Sequence, residues 1–360
     1  MAVAAMIDTE SDPRAPRRNP ALLGHGAAEA ALAQAARSGR LPHAILIGGP
    51  RGIGKATLAY RFARWLLADG AAGQGAGLAV DPAHPAARRI ASGGHADLFT
   101  VERQWDPKRK RLRSEIIAED ARAIADFFHL TPAEGGWRIA IVDGAEEMNR
   151  TAANGILKIL EEPPRQALLL LVSHAPGRLL PTIRSRCRTL KLQPLAEEEV
   201  MALLAEREPG LSDTDLQALA HLAEGSIGRA LELAESGGIA LHRALVGLLA
   251  GLPRLDGVAL HALADTVARG EDDGFRTLRD LLLDLLRRVA LGGVDRTRLA
   301  AEEGEGALVA RLAGMARPEA WLDLWEELRT LFARAEALTL DRRQVMLDAF
   351  LRIEALLRQA

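Results

Sequence analysis

The sequence predicts an α/β fold in which a parallel sheet is covered by helices and all-helical segments follow. Short apolar runs alternate with helical patterns as far as Leu195, as parallel strands joined by crossover helices would. The stretch GGPRGIGKATLA, residues 48–59, places a glycine-rich turn between the first of those runs and a helix. After Leu195 the strand signals stop and helix follows helix.

In chain order, the buried-strand runs are Ala44–Gly48, Asp97–Glu102, Trp137–Asp143, Ala167–Ser173 and Thr189–Leu192. Helical patterns lie between several of them. Leu58–Leu67 follows the glycine turn, Asp120–Phe128 precedes the third strand and Ala152–Glu162 precedes the fourth. Helices Glu197–Glu206, Asp213–Ala223 and Ser226–Glu235 then form a compact group, and Gly237-Gly238 reads as a linker. In the Ala/Leu/Arg-rich remainder, Trp321, Leu324, Trp325, Leu328 and Phe332 share one helical face, as do Met346, Phe350, Ile353 and Leu357. Both stripes read as bundle core.

The composition narrows the class. With 360 residues the chain has room for two or three domains, and 48% hydrophobic with 26% charged residues is a globular balance. Mean hydropathy is +0.00, and no uninterrupted apolar run has the length of a membrane-spanning helix. Residues 1–19 mix acidic, basic and proline residues and read as a flexible tail, not a signal peptide. Cys187 is the single cysteine, which excludes an internal disulfide and a thiolate-rich zinc site, so a cytoplasmic location is expected. A net charge of −2 excludes a strongly basic nucleic-acid binder, leaving DNA contact to a local patch or to an assembly.

A glycine turn between a buried strand and a helix leaves backbone N–H groups free to surround a phosphate. The helix dipole and a lysine add positive charge. Gly49, Gly52, Gly54 and Lys55 are the candidate residues for that cradle. One position departs from the pattern: Ala56 stands where a Ser or Thr hydroxyl holds Mg²⁺. Thr57, one residue on, points about 100° away around the helix axis and does not substitute.

The strand in RIAIVDGAEEMN ends at Asp143, where a metal-supporting aspartate is expected, although an ordinary strand-end carboxylate fits too. Gly144 follows, where a hydrolysing site carries a glutamate to polarise the attacking water. Glu146 and Glu147 lie further on, out of place for that task. Loss of both the hydroxyl and the carboxylate predicts a site that does not turn over ATP.

Further along, PTIRSRCRTLKL contains Ser185-Arg186-Cys187, and GSIGRA spans residues 225–230. The order of glycine loop, aspartate strand, AANGILKILEEPP (152–164), SRC and GSIGRA resembles the bacterial clamp-loader AAA+ family, in its delta-prime branch of DNA polymerase III. GRLPHAILIGGPRGIGKATLA (39–59) carries the same likeness, which runs from Asn19 to Leu233.

The resemblance implies an AAA+ core over 20–194, a helical lid over 195–237 and a helical collar over 238–360. It implies a stator that offers Arg186 as an arginine finger to a neighbouring subunit's γ-phosphate. The alternative for Arg186 is a local ion pair. Arg229 matches a position that faces the protein's own nucleotide, with a packing or ion-pair role as the alternative. His174 lies in the region of another nucleotide-sensing position, where a structural role is the simpler reading. Implied partners are the gamma/tau and delta subunits through the collar, and the sliding clamp and primer-template DNA through the assembly, with no membrane. No cofactor is required, and ATP or ADP binding without turnover is compatible with the loop. Two other readings are a hydrolysing gamma/tau-type motor and a stand-alone AAA+ nucleotide switch.

Many family members carry a four-cysteine zinc module before the second strand. Here DPAHPAARRIASGGHADLF (81–99) has no cysteine, and His84 with His95 cannot complete a tetrahedral site, so no zinc is expected. The cations Lys108, Arg109, Lys110, Arg111 and Arg113 surround an Asp-Pro turn and read as a solvated hairpin, with phosphate contact as the alternative.

Overall fold

The computed structural model describes residues 15–70, 77–106, 111–134, 136–269, 272–292 and 305–359. Most of the expected tail, the cations Lys108, Arg109 and Lys110 and the side chain of Arg111 lie outside them. By compactness the chain divides into two units. One holds the residues up to Glu199 together with Gly225–Gly228, and the other holds Val200–Glu224 and the residues from Arg229 onward.

In the first unit α1 (Gly26–Arg37) leads into β1 (Ala44–Gly48), α2 (Lys55–Leu67) and α3 (Pro85–Ala91). Then come β2 (Leu98–Val101), the short hairpin strands β3 (Trp105–Asp106) and β4 (Arg111–Leu112), and α4 (Ala118–His129). The unit continues through β5 (Arg138–Asp143), α5 (Arg150–Glu161), β6 (Ala167–Ser173), α6 (Pro181–Arg184) and β7 (Arg188–Lys191). The five long strands form one parallel sheet in the order β2-β5-β6-β1-β7. β3 and β4 pair antiparallel, Trp105 opposite Leu112.

Strand periodicity explains the two-sided core. Ile45, Ile47, Ile139, Ile141, Leu168, Leu170 and Val172 enter the cluster that contains Phe62 and Trp65 of α2. The alternating Leu46, Ala140, Val142, Leu169 and Leu171 enter the opposite cluster with Ile124 of α4 and Ile156 of α5. Each fully buried Leu or Ile contributes roughly 1.5–3 kcal/mol relative to exposure, so the unbroken apolar runs hold the sheet on both faces.

Two strands, β1 and β6, coincide with the expected runs, whereas β7 begins and ends one residue earlier than expected. Leu192 still donates its N–H to Gly48 O at 2.8 Å, prolonging the ladder past the strand's end. The helices α1 and α3 are not among the expected ones; they bury few residues, Leu32 and Ala33 in α1 and Ala86, Ala87 and Ile90 in α3.

The second unit is helical. α7 (Glu197–Arg207) leads into it from the first unit, followed by α8 (Asp213–Leu222) and α9 (Ile227–Glu235), whose first two residues belong to the first unit. The series ends with α10 (Gly238–Ala250), α11 (Gly257–Arg269), α12 (Asp272–Ala290), α13 (Glu305–Ala313), α14 (Pro318–Leu338) and α15 (Arg342–Gln359). Gly237-Gly238 is tighter than a linker: Gly237 caps α10 in the left-handed region, and Gly238 is already helical and packed on Leu233. Trp321, Leu324, Leu328 and Phe332 are buried, as are Met346, Phe350, Ile353 and Leu357. Trp325 is half-buried and donates its ring N–H to Leu283 O at 2.9 Å. Among the described residues no single helix is long and apolar enough to cross a membrane.

Candidate functional site

Parallel register brings the carboxyl ends of three strands together. Gly48 pairs with Ser173 and Asp143 with Val172, so the loop after β1, the end of β5 and Ser173-His174 share one edge of the sheet. The loop runs from Gly49 to Gly54, and α2 opens at Lys55. Gly54 has φ +98°, in the left-handed region that a side chain would strain, and it caps the helix. His25, buried at the start of α1, places Nε2 2.6 Å from Ile53 O and steadies the loop from behind.

Lys55 is only 3% exposed, and its ammonium donates to Pro50 O inside the same loop. Burial draws its pKa down to about 8, against the opposing charges of Asp143 and Glu146. Asp143 moves the other way, to about 6, because burial and then Glu102 disfavour its ionised form more than Lys55 favours it. Ala56 presents no oxygen, and Thr57 is buried.

Glu146 and Glu147 fold back toward Asp143. Glu146 accepts the His174 backbone N–H at 2.8 Å. Burial works against its charge, but hydrogen bonds from its own backbone, Ser173 and His174 hold its pKa below the usual carboxylate value. His174 is itself shifted down, first by burial and then by the Lys55 charge. Glu147 lies 2.7 Å from Arg103 Nε, and burial raises its pKa despite that partner. A Cβ at Gly144 would meet Glu147 Oε2 at 2.6 Å, and Gly144 has φ +75°. The position next to Asp143 is therefore covered by a carboxylate bound to arginine. Sequence spacing alone did not show this closure, which depends on the tight turn Ala145–Glu147.

Arg186 stands outside this group. It follows α6, where its Nη1 donates to Thr182 O at 3.1 Å and its Nη2 lies 2.9 Å from Glu161 Oε1 at the end of α5. The side chain remains 37% exposed. Next to it, Cys187 packs on the core, and burial pushes its thiol up to about 11. In the second unit, Arg229 Nη2 lies 3.8 Å from Asp284 Oδ2 on α12. The structure thus assembles Gly49, Gly52, Gly54, Lys55 and Asp143 at one strand edge, and gives Arg186 and Arg229 carboxylate partners on other helices.

No group of three or more His, Cys, Asp or Glu among the described residues is placed to hold a metal. His84 and His95 each use Nδ1 to accept a nearby backbone N–H.

Comparison with known proteins adds a family to this geometry. Residues 24–196 match the family described as DNA polymerase III, delta subunit. The chain is 41% identical over 145 residues to DNA polymerase III subunit delta′ of Pseudomonas aeruginosa, covering 40% of this chain and 41% of that protein. It is 32% identical over 210 residues to subunit delta′ of Bacillus subtilis, covering 58% of each. The tau subunit of Escherichia coli is 31% identical over 211 residues, 57% of this chain and 30% of that protein. The chain thus spans less than two thirds of these relatives' lengths. The matched residues hold the parallel sheet and the phosphate loop, and the described chain that follows them is helical.

Proposed function

We propose that this chain is a delta-prime-type subunit of the replicative clamp loader, a largely non-hydrolysing stator whose Arg186 acts on the nucleotide of a neighbouring ATPase subunit. The observation that carries this reading is the state of the chain's own phosphate site. Ala56 offers no metal ligand, and the position after Asp143 is Gly144, covered by a Glu147 carboxylate tied to Arg103. Arg186, by contrast, stands on an exposed turn.

The chemistry of a finger in trans suits arginine. A planar guanidinium is always charged, carries several donors and stabilises the negative oxygens of a transferring phosphoryl group. Such a residue contributes roughly 10³–10⁵ in kcat at the site it serves. In this reading residues 20–194 are the AAA+ core, 195–237 the lid and 238–360 the collar that joins gamma/tau and delta subunits. The sliding clamp and primed DNA are engaged through the assembly in the cytoplasm. No cofactor is required, zinc included, and any ATP or ADP held by Gly49, Gly52, Gly54, Lys55 and Asp143 is not turned over. Arg229 stands at the position that would face that nucleotide, with its ion pair to Asp284 as the alternative role.

The test is ATPase by the purified chain alone. Negligible turnover is expected, whereas steady hydrolysis abolished by Lys55→Ala would identify a gamma/tau-type motor or a stand-alone switch.

A further inference from the structure

The geometry points to Glu161 as a positioning residue for the arginine finger, its carboxylate orienting the Arg186 guanidinium toward a neighbouring subunit's nucleotide. This inference rests on the reading of Arg186 in trans given above.

Arg186 lies just beyond the four-residue helix α6, which offers its long side chain the Thr182 carbonyl. Ordering an arginine costs up to about 2 kcal/mol of rotamer entropy. Two oxygens meet that cost from different directions, one by a hydrogen bond and one by an ion pair. Thr182 O belongs to the arginine's own local turn and receives Nη1 at 3.1 Å. Glu161 Oε1 comes from a separate element and forms an ion pair with Nη2 at 2.9 Å. A single local acceptor leaves the guanidinium free to swing, whereas the Glu161 charge draws it to one side.

Glu161 is well mounted for this role. It is the last residue of α5, whose Ile156, Ile159 and Leu160 are buried in the core and whose start is capped by Asn149, accepting the Ala152 N–H at 2.9 Å. Pro163-Pro164 then ends the helical path. A carboxylate in the last turn also sits at the unfavourable end of the helix dipole, so helix stability does not account for it. Nor does fold stability, because Glu161 is 52% exposed and exposed ion pairs contribute only about 0–1 kcal/mol. Orientation does account for it. Guanidinium has five N–H donors, so these two contacts leave others for phosphate oxygens, and a pre-ordered finger loses less entropy on reaching them.

The experiment compares Glu161→Gln, Glu161→Asp, Arg186→Ala and the neighbouring Glu162→Gln in the reconstituted clamp loader hydrolysing ATP with clamp and primed DNA. In E161Q, kcat is expected to fall roughly three- to tenfold, within the ~10²-fold that a misplaced group can cost. KM for ATP should stay unchanged, E161D should recover part of the loss, and E162Q should match wild type. R186A should lose more than E161Q. If R186A falls while E161Q matches or exceeds wild type, or merely matches E162Q, the positioning role is overturned. If R186A itself is unchanged, the finger reading fails and the positioning role goes with it. Unchanged thermal midpoints of the isolated variants exclude misfolding as the cause.

Discussion

Gly228 donates its backbone N–H to Gly52 O at 3.0 Å, and the two residues touch through backbone alone. A Cβ at Gly228 would meet Gly52 Cα at 2.9 Å, and one at Gly52 would strike Ser226 Oγ. The GSIG turn that opens α9 is thereby seated directly on the phosphate loop, and Gly52, at φ +74°, has a second reason to be glycine.

Gly228→Ala is therefore expected to destabilise the first unit by about 1–3 kcal/mol, the usual cost of forcing a methyl into a filled space. Urea unfolding followed by tryptophan fluorescence measures it. A loss below about 0.5 kcal/mol, typical of surface changes, would show that the two backbones can separate freely.

A second prediction concerns Asp143. Its pKa is raised to about 6 in the folded chain, so its protonated form stabilises the fold and that contribution is lost as pH rises through about 6. Asp143→Asn removes the buried charge and should raise the thermal midpoint at pH 8, by the equivalent of about 1–2 kcal/mol. The gain should shrink toward pH 4. A gain independent of pH would contradict the assignment.

Glu305 behaves in the opposite sense. Burial alone would raise its pKa, but the His242 ring, 3.1 Å away, and the charge of Arg288 lower it to about 2. Its ionised form stabilises the fold above the ordinary value of 4.5, and that stability is lost as pH falls through about 2. Glu305→Ala, which leaves Arg288 and His242 without this carboxylate, should cost about 3–5 kcal/mol at pH 7. It should also flatten the acid limb of the stability profile, which denaturant titrations from pH 7 to pH 2 would reveal.

Cys187 should resist alkylation. With its thiol pushed to about 11, the thiolate fraction at pH 8 is on the order of 10⁻³. Mass spectrometry after iodoacetamide treatment is expected to find modification only once urea unfolds the chain. Rapid labelling of the folded chain would mean that the residue does not pack on the core.

The parts legible in the sequence are those governed by nearby residues. Ala44–Gly48 and Ala167–Ser173 are continuous apolar runs, and a strand buried on both faces needs nothing more to declare itself. The loop with its displaced hydroxyl is equally local, since Gly49, Gly54, Lys55 and Ala56 fall within one turn. Contacts made across the fold were not legible. Glu161 meets Arg186 from another helix, and Arg229 meets Asp284 from a helix much further along the chain. No periodicity announces either pair. Glu147 is an intermediate case: it is close in sequence, but only the left-handed backbone at Gly144 turns its carboxylate over that glycine.

The central claim is that this chain's working group acts on another subunit's nucleotide while its own site stands idle. Single-turnover ATP hydrolysis by the reconstituted assembly, comparing Arg186→Ala with Asp143→Asn in this chain, tests it most directly. The account predicts a rate lowered at least tenfold by R186A, given the roughly 10³–10⁵ carried by such a finger at its site, and a rate unchanged by D143N. A normal rate in R186A together with a collapsed rate in D143N would contradict it.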